Sequence, residues 1–418
     1  MNRPKGTKDN YGDIQLLREY TQKTIEAIST VNNFKKIETP IFERKEVYLR
    51  SVGETSDIVS KEMYIFSDKK GREMVLRPEG TAGTIRAIVE NKLFAEGLPL
   101  KVFYYGPMFR YERPQKGRQR QFTQFGAEML SEASPYADAE MIIFAQSILE
   151  SFNIEFKLLI NSLGDKKTRD EYSKSLKKYF EKYKGELSDD SLNRLDKNPL
   201  RILDDKIDGK KEFVINAPKI NEFYSAETKD YFNKVILFLD KMDIQYEIDT
   251  TLVRGLDYYS DTSFEFISTS GKSGSQNTLI GGGRYSNLVS QFNGPNLSGV
   301  GFGIGIERLI NELNYEKILE EINTDVEVYV LNISEEAQEA TLGIVHMLRR
   351  AGFITEWNQK PAKLQKAFTS SSKSGATVNV IAGLKELSEN TVNVKIDGIQ
   401  ENVKLDNLID YIDGKLGV

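Results

Sequence analysis

Between positions 299 and 306 glycine alternates with Val300, Phe302, Ile304 and Ile306. Alternate residues of an extended strand share a face, so this strand has one apolar face and one face with no side chains. Glycine weakens a strand, because it costs backbone entropy and packs nothing. Four of them on one face point to a close approach by something flat, and an adenine ring fits. A tightly packed neighbouring backbone is the other reading of the same pattern. The following helix begins Glu307-Arg308, which puts a guanidinium at its first turn beside the bare face. Upstream, Gly281-Gly282-Gly283-Arg284-Tyr285 also lets a backbone approach a ligand closely. Other nucleotide motifs fail on spacing: no G-x-G-x-x-G occurs here, and Gly271-Lys272-Ser273 has Phe266 where a P-loop needs glycine.

A second constraint is the stretch 102–130, VFYYGPMFRYERPQKGRQRQFTQFGAEML, which predicts two strands joined by a basic loop. Alternation puts Met108, Arg110 and Glu112 on one face, with Phe103, Tyr105, Phe109 and Tyr111 on the other. On the return strand Phe122, Gln124, Gly126 and Glu128 share a face, opposite Phe125, Ala127 and Met129. If the polar faces coincide, Arg110, Glu112, Gln124 and Glu128 converge over one floor. The loop 113–121 carries Arg113, Lys116, Arg118 and Arg120 and no acid, an anion site at its base and a polyanion contact at its tip.

Two further segments carry dense polar chemistry. Arg77-Pro78-Glu79-Gly80-Thr81 reads as a turn feeding a helix over 82–91, with Thr81 as its cap and Glu79 able to hold an ammonium group. The stretch 252–266, LVRGLDYYSDTSFEF, reads as a strand unusually rich in arginine, tyrosine and acids. Alternation there groups Arg254, Tyr258 and Ser260 against Asp257, Tyr259 and Asp261, unless Gly255 breaks the pleat.

What the chain lacks narrows the chemistry. It has no cysteine and a single histidine, His346, in a helical pattern over 335–350, where it reads as a surface or packing residue. Thiol nucleophiles, Cys-ligated zinc and histidine general-base catalysis are thereby disfavoured. The net charge of −5 means that any nucleic-acid contact must come from local basic patches. The first residues have no apolar run after their basic ones, and no apolar stretch approaches the roughly 20 residues that span a bilayer. A cytoplasmic protein without a membrane segment is expected.

Along the chain, a helix over 11–31 leads into an extended segment over 35–43 containing Pro40, and a short hairpin is expected at 63–66 and 73–76. A helix over 138–152 follows the basic hairpin. Residues 161–249 read as a mostly helical insertion, and after 323 strands at 326–333, 353–357, 378–382 and 391–396 alternate with helices at 335–350, 362–374 and 405–412. The expected layout is a catalytic region at 1–160 and 250–323, an insertion at 161–249 and an α/β domain at 324–418.

FRYERPQKGRQRQF, RPEGT, NPLRILD, LVRGLDYY and the glycine strand followed by Glu-Arg together resemble the signatures of the histidyl-tRNA synthetases, class II aminoacyl-tRNA synthetases of bacterial type. The resemblance implies an α+β fold, with an antiparallel catalytic sheet flanked by helices, a helical insertion and a C-terminal anticodon-binding domain. It implies activation of L-histidine by ATP with Mg²⁺, transfer to the 3′ end of tRNA(His), and a homodimer. By the same resemblance, Arg110 and Arg254 are the catalytic cations. Glu79, Gly80, Thr81, Arg110, Gln124, Glu128, Arg254, Tyr258, Tyr259 and Tyr285 bind histidine, with Glu128 and Tyr259 on the two ring nitrogens. Arg110, Glu112, Arg118, Phe122, Gly303, Gly305 and Arg308 bind ATP, and Gln115, Lys116, Arg118 and Arg120 meet the tRNA acceptor end. No protein ligand is assigned to the metal. Tyr111 and Thr123 depart from the histidines usual in bacterial relatives, and Ser286-Asn287 from Asp-Gly. A regulatory paralogue of this fold, a subunit of a histidine-biosynthetic enzyme, is the rival. It typically lacks the last domain and has eroded ATP-binding residues.

Overall fold

Val300, Phe302 and Ile304 are buried on one side of the strand Ser298–Gly305, as the alternation requires, and that strand lies at the centre of an eight-stranded sheet. The computed structural model describes the chain except Glu54, Thr55, Asp57, Lys116, Lys206, Arg254, Ser273, Ser275, Gln276, Asn323, Thr324, Gly417 and Val418. The expected roles of Arg254 and Lys116 therefore lie outside the described residues.

The glycine strand pairs antiparallel with Gln121–Ser131 on one side and Thr278–Tyr285 on the other. Beyond these stand Leu100–Phe109 and Lys35–Lys36 on one flank, and Ser260–Ser268, Phe156–Ser162 and Glu247–Ile248 on the other. The interior pairs are antiparallel and only the two short edge strands pair parallel. Phe125 and Phe302, from adjacent strands, meet Phe144 of the helix Pro135–Ser151 on the apolar face. That helix covers one side of the sheet and leaves the glycine side for the site. The unit Met1–Tyr315 contains this sheet together with the helices of the insertion, Lys166–Phe180, Asp189–Lys197 and Ala226–Lys241 among them.

The segment around Pro40 gives two short strands in different sheets, Lys35–Lys36 and Phe42–Arg44, because proline cannot donate to a continuous ladder. Phe42–Arg44 joins the hairpin Tyr64–Ser67 and Glu73–Leu76 in a three-stranded sheet. The strand expected over 252–266 starts only at Ser260. The basic hairpin's first strand ends at Phe109, because Tyr111 turns its N–H to the Glu62 carbonyl, 2.7 Å away, and leaves the ladder.

The unit Glu316–Val418 is an α/β domain with strand order Thr355–Trp357, Val328–Leu331, Val378–Ile381, Thr391–Ile396, Ile399–Lys404, the first three parallel. The last strand was not expected from sequence. Asp397-Gly398, both at positive φ, make the tight turn that creates it. His346 is exposed on the helix Gln338–Arg350.

Candidate active site

Register, more than composition, builds the floor of the site. Gly126, Gly303 and Gly281 stand side by side on three neighbouring strands, so the bare area extends across the sheet as well as along it. Its two ends differ. A Cβ on Gly299 would run into the Tyr285 ring, and one on Gly301 into the Glu128 carboxylate. A Cβ on Gly303 would also lie 2.6 Å from Gln124 Nε2, so the expectation of a wholly bare ledge is corrected: side chains reach all but the last of its four glycines. At Gly305 a Cβ would meet nothing closer than Arg308 at 3.9 Å. This open end lines a cavity of about 170 Å³ together with Arg110, Glu112, Arg118, Phe122 and Arg308.

Around that cavity the charge is positive. Arg110 donates from Nε to the Pro78 carbonyl at 2.8 Å and lies over the Phe122 ring, 5.2 Å from its centre. Arg308 donates to the carbonyls of Gly117 and Thr278, each at 3.1 Å. Burial holds the Arg308 guanidinium below its ordinary pKa, and the like charges of Arg118 and Arg110 depress it further. Glu112 and Glu265 offset part of that repulsion. Arg118 is also paired with Glu112 at 2.9 Å.

The filled end is acidic and dry. Glu79 is only 2% exposed and caps the helix Thr81–Glu90, its carboxylate accepting from the N–H of Thr81 at 2.7 Å and of Ala82 at 2.9 Å. Thr81, expected as the cap, is the first helical residue instead. Its hydroxyl donates to Glu128 Oε1 at 2.7 Å, while the Tyr285 hydroxyl donates to Oε2 at 2.8 Å. Burial raises both carboxyls: Glu79 moves up against the pull of its two N–H donors, and Glu128 reaches about 8. Gln124 accepts from the Gly80 N–H at 3.1 Å and so ties the turn to the sheet.

Tyr258, Tyr259 and Tyr285 are buried beside these acids, with ring centres 4.6 Å apart for the first pair and 5.8 Å for Tyr258 and Tyr285. The alternation that set Tyr258 and Tyr259 on opposite faces does not apply, because both precede the strand. Tyr104 was missed by the sequence reading. It faces Gly126 across the ladder, its ring fills the space over Gly80 and Gly126, and its hydroxyl is buried without a partner among the described residues. The glycine opposite it was the available signal.

The basic loop closes in a turn, with Gln115 and Arg118 exchanging backbone bonds at 3.2 and 2.9 Å. Arg120 folds back, stacking on the Tyr111 ring at 3.9 Å and donating to the Glu112 carbonyl at 3.2 Å. Gly6 accepts from the Arg120 N–H at 2.8 Å, so the start of the chain braces this loop. Among the described residues no cluster of acids, histidines or cysteines is suited to hold a metal ion.

The site's sequence has close counterparts. A family model described as histidyl-tRNA synthetase matches residues 14–309, and one described as an anticodon binding domain matches 327–415. Curated relatives named histidine–tRNA ligase include that of Lactiplantibacillus plantarum, 44% identical over 96% of this chain and 96% of its own. That of Bacillus subtilis is 43% identical over 98% and 97%. Among solved structures, the apo histidyl-tRNA synthetase of S. aureus superimposes with a TM-score of 0.83 at 33% identity, covering 99% of both chains.

Proposed function

The chain belongs to the histidyl-tRNA synthetase family and ligates histidine to tRNA in an ATP-dependent reaction; from that premise we propose how its residues divide the work. The carboxylate of histidine attacks the α-phosphorus of ATP, a mixed anhydride forms, and pyrophosphate leaves. The nucleophile is already ionised, so the step needs positioning and positive charge on the phosphates and no base. Arg110 and Arg254 supply that charge at the α-phosphate, and Arg308 holds the γ end. Adenine lies on Gly303 and Gly305 under Phe122. Glu112 accepts from the adenine amino group with lone pairs that Arg118 leaves over.

Histidine occupies the acidic end. Glu79, Gly80 and Thr81 receive its ammonium group, while Glu128 and Tyr259 bond the two ring nitrogens, with Gln124, Tyr258 and Tyr285 around the ring. The single observation that carries this reading is Glu128: a carboxylate 1% exposed, oriented by two hydroxyls and pushed up to about 8 by burial. Such a group is costly unless a ligand N–H meets it. Replacing Glu128 by alanine is expected to abolish histidine-dependent ATP–pyrophosphate exchange, and unchanged exchange refutes the assignment.

Mg²⁺ would enter with ATP. Once bound, it would neutralise charge on the phosphates. The loop bearing Gln115, Lys116, Arg118 and Arg120 meets the acceptor end of tRNA(His), although Arg120 is already engaged with Tyr111. Residues 1–160 and 250–323 form the catalytic region, 161–249 the insertion and 324–418 the anticodon-binding domain. The protein works as a cytoplasmic homodimer; Ile41, Phe42, Ile65 and Phe66, apolar and exposed around the three-stranded sheet, support a self-association surface. Among the described residues no helix is long and apolar enough to cross a membrane.

A further inference from the structure

We propose that Arg201 and Arg169, both within 161–249, are positioning residues for histidine recognition: they fix the loop that carries Tyr258 and Tyr259. The inference rests on the reading that these tyrosines line the imidazole pocket. The described residues of 252–259 belong to no helix or strand, so no backbone ladder holds them. Apart from one backbone bond to a distant segment, from the Asp257 N–H to the Val52 carbonyl at 3.2 Å, a loop of that kind keeps its geometry where side chains satisfy its polar groups.

Here the grips come from distant parts of the chain. Arg201 donates from Nε and Nη2 to Asp257 Oδ1 at 3.0 and 2.8 Å, and Asn198 Nδ2 reaches the same oxygen at 3.1 Å. Arg169 Nη1 donates to the carbonyl of Tyr259 itself at 2.8 Å. Asn161 Nδ2 holds the start of the loop through the Leu252 carbonyl at 2.9 Å. On the far side Asp257 packs against Gly53, where a Cβ would lie 2.9 Å from the Cβ of Asp257. Between the loop and its arginines is a cavity of about 200 Å³, lined by Arg169, Asn198, Arg201, Asp257 and Tyr259. Without the arginines the loop has room to shift into it.

The consequence is selective. Tyr259 follows Asp257 by two residues, so a displaced aspartate displaces the phenol that meets the ring. A misplacement of ~1 Å costs up to about 10²-fold. The adenine contacts at Phe122, Gly303 and Gly305 stand on sheet strands and are untouched by the loop.

The test is steady-state ATP–pyrophosphate exchange on the full chain with histidine and ATP varied separately. Arg201→Met and Arg169→Met are each expected to raise the histidine KM about tenfold or more while the ATP KM stays within about twofold. Arg201→Lys restores part of the loss, and adding Asp257→Asn to Arg201→Met costs little more than Arg201→Met alone. A lowered melting temperature with both KM values unchanged, or both raised alike, overturns the proposal. Where Arg201→Met does not fold, Arg169→Met, which deletes one bond from a half-buried side chain, decides. Tyr259→Phe is run alongside. If it leaves the histidine KM unchanged, the pocket reading itself fails. If it raises that KM while the arginine variants do not, only the positioning role fails.

Discussion

The two ends of the glycine floor are opposites. One is open, cationic and roofed by a hairpin loop; the other is closed, acidic and walled by sheet strands and a helix start. The open end suits a ligand of high charge and common shape, for which attraction matters more than fit. The closed end suits a small ligand that must be told from its competitors, because buried polar partners left unpaired by a wrong ligand penalise it by about 10⁴-fold or more. The like charges of Arg118 and Arg110 add to burial in holding the Arg308 guanidinium down, and burial holds the Glu128 carboxyl up. Each end thus places ionisable groups where burial disfavours their charged form.

The contrast breaks if changes at one end are felt equally at the other. The largest effect is expected from Glu128→Gln, which should cut histidine-dependent exchange by about 10³-fold or more while leaving ATP affinity within about twofold. Next comes Arg308→Ala, expected to lower kcat/KM for ATP by about 10²–10³-fold; calorimetric binding of histidine alone should be unaltered. A smaller, sharper pair uses the floor itself. Gly305→Ala has open space and should raise the ATP KM about tenfold with little change in melting temperature. Gly301→Ala drives a methyl into Glu128 and to 2.6 Å from the Ala127 carbonyl, so it should cost about 1–3 kcal/mol of stability and weaken histidine.

The remaining test is a pH slope. Glu128 keeps its proton in the fold up to about 8, whereas an unfolded glutamate releases it near 4.5. The folded state therefore binds the extra proton across that window, and stability falls as pH rises from about 4.5 to about 8. Histidine binding to the ionised carboxylate strengthens over the same rise. Thermal melts of the wild type and Glu128→Gln between these limits should diverge, with the variant losing less stability toward pH 8.

Much of this was legible because strands write their faces into alternation. The period of 299–306 announced a face without side chains of its own; Phe122 and Gln124 line one cavity, and Gln124 and Glu128 both lie over that face, as expected. What stayed hidden depended on which residue lies across the ladder. Tyr104 belongs to the site because Gly126 stands opposite it, and Glu128 fills part of the glycine ledge because Gly301 stands opposite it. The loop before Ser260 was misread as strand, since its tyrosines have strand propensity but side chains 56 and 90 residues away hold it. In the last domain the turn Asp397-Gly398 carried a hairpin signal that the reading did not use.

Strand order has a further consequence for how this sheet comes into being on the ribosome. The glycine strand lies between Gln121–Ser131 and Thr278–Tyr285, yet it is the last of the eight to be synthesised. A nascent chain that stops short of Ser298 has two half-sheets whose inner rims lack the partner that joins them. Those rims present unpaired backbone groups to any neighbouring chain. Completion of a single short segment closes both at once, so the floor appears late and all together rather than piece by piece.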